Sequence, residues 1–167
     1  MRDDLRKDLL VILTAACLGS LFGVIHNSID VGISPEFYRL VKQAPASIAV
    51  GLWAAYIGLS RGFVPGLLLG AGFCFASDSG NAPPVGYRGL VPWMLVPILF
   101  AAAFSILAAM LPVSQVTDKS KLTAQHIEQV RRMHTGLYMG GFLGGAVACR
   151  GILRRRSGRS WVDSPGK

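Results

Sequence analysis

The sequence predicts an all-α membrane protein, with four transmembrane helices in one bundle. Two observations carry this. The 167-residue chain is 51% hydrophobic and only 16% charged, against about 25% charged in a soluble domain. Its apolar residues are also clustered: segments 9–25, 44–60, 62–77, 89–111 and 135–149 hold no Asp, Glu, Lys, Arg or His. Crossing a bilayer takes roughly 20 mostly apolar residues in a helix. One transmembrane domain over 1–155 is expected, followed by a basic cytoplasmic tail at 156–167.

The first span is expected from about Asp8 to Ile25. Basic residues (Arg2, Arg6, Lys7) before an apolar run could suggest a signal peptide, but the run continues through Leu21, Phe22, Val24 and Ile25. An uncleaved span fits that length better. Ala15, Gly19 and Gly23 recur every fourth residue, on one helix face that a second backbone can approach closely.

Residues 26–43 read as a polar connection on the outer face, with a short helix inside it. Ser34 can cap that helix, Pro35 suits its first position, and Glu36 complements its dipole. Residues 44–76 read as one long second span. Ala54, Gly58, Gly62, Gly66 and Gly70 keep a four-residue register straight through Arg61, which a hairpin at Ser60-Arg61-Gly62 would have no reason to preserve. Pro65 predicts a kink near Arg61.

A turn-rich loop, 78–90, leads into a third span over about Val91 to Leu111, ended by Pro112. After a polar loop at 113–122, Thr123 can cap a helix that carries a Glu128–Arg132 pair at i,i+4. That helix continues into the fourth span, His134 to Leu153. Gly136, Gly140 and Gly144 line one of its faces. The glycine faces fit tight helix pairs within one chain or a homo-oligomer equally well.

The formal net charge is +8. Arg150, Arg154, Arg155, Arg156, Arg159 and Lys167 crowd the C-terminal end. Beside a membrane span they read as a topology signal touching lipid head groups, with no call for nucleic acid. With both termini cytoplasmic, the inner segments carry these six residues plus Arg2, Arg6, Lys7 and Arg88. The outer segments carry Arg39, Lys42, Lys119, Lys121, Arg131 and Arg132. Cys17, Cys74 and Cys149 fall in spans without metal-ligand spacing and read as apolar packing residues.

Two motifs carry a family resemblance. His26-Asn27-Ser28 followed by Ile33-Ser34-Pro35-Glu36-Phe37-Tyr38, and His134-xxx-Tyr138-x-Gly140-Gly141-xx-Gly144, resemble signatures of a family of small, uncharacterised bacterial membrane proteins. Ala54-Ala55-Tyr56-Ile57-Gly58 is similar to a third segment of that family. Positions 27 and 28 are Asn and Ser where the family pattern has Asp and Gln. The resemblance implies the architecture and a bacterial inner membrane; it implies no activity.

In the four-span arrangement His26 ends the first span and His134 begins the fourth, at the same membrane face. Together with Glu36 they could bind a divalent metal or relay protons. Asp30, in the same connection, and Arg61, within an apolar segment, are further polar candidates. P-loop, GxSxG, HExxH and dinucleotide fingerprints are absent from the sequence. The leading reading is therefore a structural or accessory, self-associating membrane protein without a cofactor; the alternatives are a transporter of a small solute, ion or proton, and a metal-dependent membrane enzyme.

Overall fold

The computed structural model describes residues 2–80, 83–112 and 119–162. The side chains of Arg2, Lys119, Lys121, Arg159 and Lys167, all in the orientation count, lie outside the described residues, as does most of the 113–122 loop. The described chain is helical throughout, with no strand: α1 (Arg2–Ile33), a short π-helical turn (Phe37–Val41), α2 (Val50–Asp78), α3 (Tyr87–Met110) and α4 (Lys119–Val162). All four α-helices are long and apolar enough to cross a membrane. Large apolar side chains cover the outside of the bundle: Leu68, Phe75 and Phe142 are 70%, 78% and 79% exposed. Such a surface suits hydrocarbon and would aggregate in water.

α1 does not stop near Ile25. It runs on through His26, Asn27 and Asp30 to Ile33, so the polar connection begins eight residues later than its composition suggests. Pro35 ends the helix, because its ring disfavours the helical conformation at the preceding Ser34. Ser34 Oγ accepts from the backbone N–H of Phe37 at 3.3 Å, and the short turn begins there. It closes at Gln43, whose φ of 51° is left-handed. α2 is one uninterrupted helix containing Pro65, starting at Val50 rather than at residue 44. α4 continues to Val162, so the first residues of the expected tail are helical.

The four helices form two tight antiparallel pairs, α1 with α2 and α3 with α4, which meet along a more open seam. Glycine explains the tightness. A Cβ on Gly19 would lie 2.5 Å from the carbonyl oxygen of Gly62. Gly23 faces Gly58 across the same line, and Gly66 and Gly70 lie on the backbones of Ala15–Ala16 and Ile12. In the second pair, Gly136, Gly140 and Gly144 lie on the backbones of Phe104, Phe100 and Pro97. Backbones this close gain dispersion contacts that side chains would prevent. The glycine faces are thus occupied inside the chain.

One end of the bundle gathers the N-terminal part of α1, the 79–86 connection and the C-terminal part of α4. Lys7 pairs with Asp78 at 2.8 Å, Thr14 Oγ1 and Tyr87 Oη are 3.0 Å apart, and buried Arg156 donates to the carbonyl of Pro83 at 3.3 Å. Ser77 is fully buried there. Its Oγ donates to the carbonyl of Val85 (3.1 Å) and accepts from the N–H of Val85 (3.0 Å). Ser77→Ala would strip both backbone groups of their partner, at a cost of about 1–3 kcal/mol. Thermal unfolding in detergent is expected to show a lower midpoint for Ser77→Ala. An unchanged midpoint would mean the connection does not depend on this bond.

Candidate metal centre

At the opposite end, the helix face that carries Gly19 and Gly23 continues as His26, Asn27 and Asp30. Spacings of three and four residues keep these side chains on the stripe that faces the rest of the bundle. All three are buried, Asp30 completely. Asn27 Nδ2 donates to the carbonyl of Ala54 at 2.9 Å, which ties the stripe to α2.

Three elements converge on the Asp30 carboxylate. Oδ2 lies 3.0 Å from Nδ1 of His26 on α1 and 3.0 Å from Nε2 of His134 on α4. It also accepts from the hydroxyl of Tyr38, in the π-helical turn, at 3.3 Å. Tyr38 is fully buried. Burial, and then the Asp30 charge, push its phenol far above the ordinary range, so it stays a neutral donor to the carboxylate.

Neither imidazole nitrogen aims its N–H axis at the carboxylate in hydrogen-bond alignment, despite the short separation. His26 Nδ1, His134 Nε2 and Asp30 Oδ1 are all buried without a hydrogen-bond partner among the described residues. A buried polar atom left in this way costs about 1–3 kcal/mol. Here three cluster at one point, and each of the three residues offers a ligand atom within 4.8 Å of the others. Ligands about 2.1 Å from one ion and at right angles are about 3.0 Å apart, and each then points between its neighbours rather than at them. The two 3.0 Å nitrogen–carboxylate separations match that spacing, and they are equally the spacing of a buried carboxylate paired with two imidazoles.

The surrounding groups fix the two rings. His26 Nε2 and Ser105 Oγ of α3 are 2.8 Å apart. With Nδ1 kept as a ligand, Nε2 carries the proton and donates to Ser105. The Phe37 ring stacks on His134, with centroids 5.4 Å apart and planes 26° apart, and the His26 ring meets His134 edge-on at 5.3 Å. Such outer partners set tautomer and orientation in metal sites.

The structure therefore brings His26 and His134 together, as their places in the chain suggest, but joins Asp30 to them instead of Glu36. Glu36 stands at the start of the π-helical turn and makes no side-chain capping bond; it does not belong to the ligand cluster. Ser105 is the group that the sequence conceals, and Tyr38 stands in a recognisable motif without any cue to its role. Ser105 lies inside an apolar span and carries no motif. Tyr38 sits next to Phe37 in a segment that looks like an ordinary amphipathic turn.

Arg61 is exposed and makes no ion pair or hydrogen bond among the described residues, with Glu36 or any other group. It lines a cavity of about 440 Å³ between the two helix pairs, together with Asn27, Pro65, Met94, His134 and Tyr138. His134 thus belongs both to the ligand cluster and to the cavity wall.

No family model matches the chain, and no curated protein or solved structure matches it either.

Proposed function

We propose that the protein is a membrane-embedded metal protein. It would hold a divalent first-row transition ion between His26, Asp30 and His134 and present it to a cavity within the bilayer. The supporting observation is the convergence of two imidazole nitrogens and a carboxylate, all buried and outside hydrogen-bond alignment, at ligand–ligand spacing. Two histidines and one carboxylate suit zinc with an open position, or iron(II) in a facial arrangement. Three protein ligands leave room for a further group, and the cavity beside His134 gives such a group a route. When bound, the ion would supply Lewis acidity or, if iron, electron transfer. Ser105 would hold the His26 tautomer, and Tyr38 would hold Asp30.

The structural, self-associating role draws its support from glycine faces, and those faces are filled within the chain. They no longer argue for it over the metal reading. The proposal retains a bacterial inner membrane, both termini cytoplasmic, a bend at Pro65, and the π-helical turn at the outer face. The metal end would then face outward, with lipids as the immediate neighbours.

Metal analysis of the full-length protein, purified in mild detergent without chelator, tests this. About one equivalent of zinc or iron per chain is expected, falling to background in His26→Ala and His134→Ala. Because ligation requires neutral imidazoles, acidification should release the ion. Cobalt(II) added to chelator-stripped protein should give ligand-field absorption that His134→Ala lacks. Wild-type protein that takes up neither native metal nor cobalt would end the metal reading.

A further inference from the structure

We infer that the cavity between the two helix pairs is a binding site for one acidic phospholipid of the surrounding bilayer, with an acyl chain inside the cavity and the phosphate at Arg61. This goes beyond the metal reading and does not depend on it.

The size and composition of the cavity come first. At about 440 Å³ it falls within the range of small-molecule sites, roughly 300–1,000 Å³. Most of its wall is apolar, from Phe22, Leu69, Phe73, Met94, Ile98 and Phe142. It lies between spans, where part of the seam between the two helix pairs stays open. A bilayer supplies hydrocarbon chains at this depth, so a chain entering from the side exchanges one apolar setting for another and needs no exit from water.

The charge decides the head group. Arg61 is the sole Lys or Arg in the cavity wall, and no carboxylate lines that wall. A cation at membrane depth without a protein partner is costly, and it commonly reaches for the interface. An unpaired guanidinium in the wall of an apolar cavity complements a phosphate carrying a hydrocarbon tail. A guanidinium binds phosphate through paired N–H donors. A zwitterionic lipid offers the same tail with a competing positive charge.

Native mass spectrometry of the full-length protein in mild detergent, with added dioleoylphosphatidylglycerol, dioleoylphosphatidylcholine or oleate, tests the site. One phosphatidylglycerol per chain is expected, at least roughly fivefold preferred over phosphatidylcholine. Arg61→Gln should abolish that preference. Gly141→Leu should exclude both lipids, because a Cβ there meets only the Cβ of Ala101 at 3.9 Å and the longer side chain projects into the cavity. Metal per chain, measured on the same samples, should be unchanged in both variants. Equal retention of the two phospholipids by wild-type protein, or retention undiminished in both variants, would overturn the inference. So would preference for oleate over phosphatidylglycerol, which would make the ligand a free fatty acid. Lipid binding in a protein without metal would sink the metal reading and leave this one standing.

Discussion

Asp30→Ala is expected to abolish metal binding and to remove the stabilisation that metal gives. Asp30 supplies the single carboxylate of the cluster, and both imidazole nitrogens lie 3.0 Å from its Oδ2. Without it, two neutral ligands remain, too few to hold a divalent ion in a buried site. Tyr38 loses its acceptor as well, which adds about 1–3 kcal/mol. If the wild-type protein binds the proposed ion, metal at a hundred times its Kd would stabilise the fold by about 2.7 kcal/mol. Added zinc or cobalt should therefore raise the thermal midpoint of wild type and leave that of Asp30→Ala unmoved. Glu36→Ala provides the contrast: it should bind metal as wild type does. Equal metal content in Asp30→Ala and wild type would show that the carboxylate is not a ligand.

The second large effect belongs to the glycine line. Gly58→Val is expected to separate α1 from α2. A Cβ on Gly58 would meet the Gly23 carbonyl carbon at 2.6 Å and the Val24 nitrogen at 2.8 Å. Both are backbone atoms of a helix that is itself packed, so no rotamer change relieves the clash. Overpacking of this kind costs about 1–3 kcal/mol or more. The change would also disturb Asn27, which is bonded to Ala54 one turn away, and with it the register of His26 and Asp30. A lowered thermal midpoint together with reduced metal is expected. Gly32→Ala, where an added Cβ meets nothing within 4 Å, should not lower the midpoint, since Ala favours a helix over Gly by up to about 1 kcal/mol. Identical behaviour of the two variants would mean that the close approach carries no weight.

These contrasts show what sequence reasoning can and cannot reach. Charge-free stretches and glycine spacing are local signals, and the continuity of α2 through Arg61 could be read from them. The end of α1 could not. His26, Asn27 and Asp30 look like a solvated loop because their partners are remote in sequence: Ala54, Ser105 and His134. Burial beside those partners turns a polar run into the inner face of a helix. The same remoteness explains the ligand choice. Glu36 has a local cue, the Ser-Pro-Glu helix start, whereas Asp30 is marked only by its i,i+4 relation to His26, which matters only if the helix continues. The hint was the glycine stripe, whose rhythm carries on past Ile25 into these polar residues.

The ligand cluster straddles the boundary between the two helix pairs. His26 and Asp30 belong to the first pair, Ser105 and His134 to the second. An ion held there, as proposed, would act as a clasp between two hairpins that each have a glycine-sealed interior of their own. Loss of the ion would let the halves part at this end while the opposite end, stitched by Thr14 to Tyr87 and by Arg156 to Pro83, stays shut.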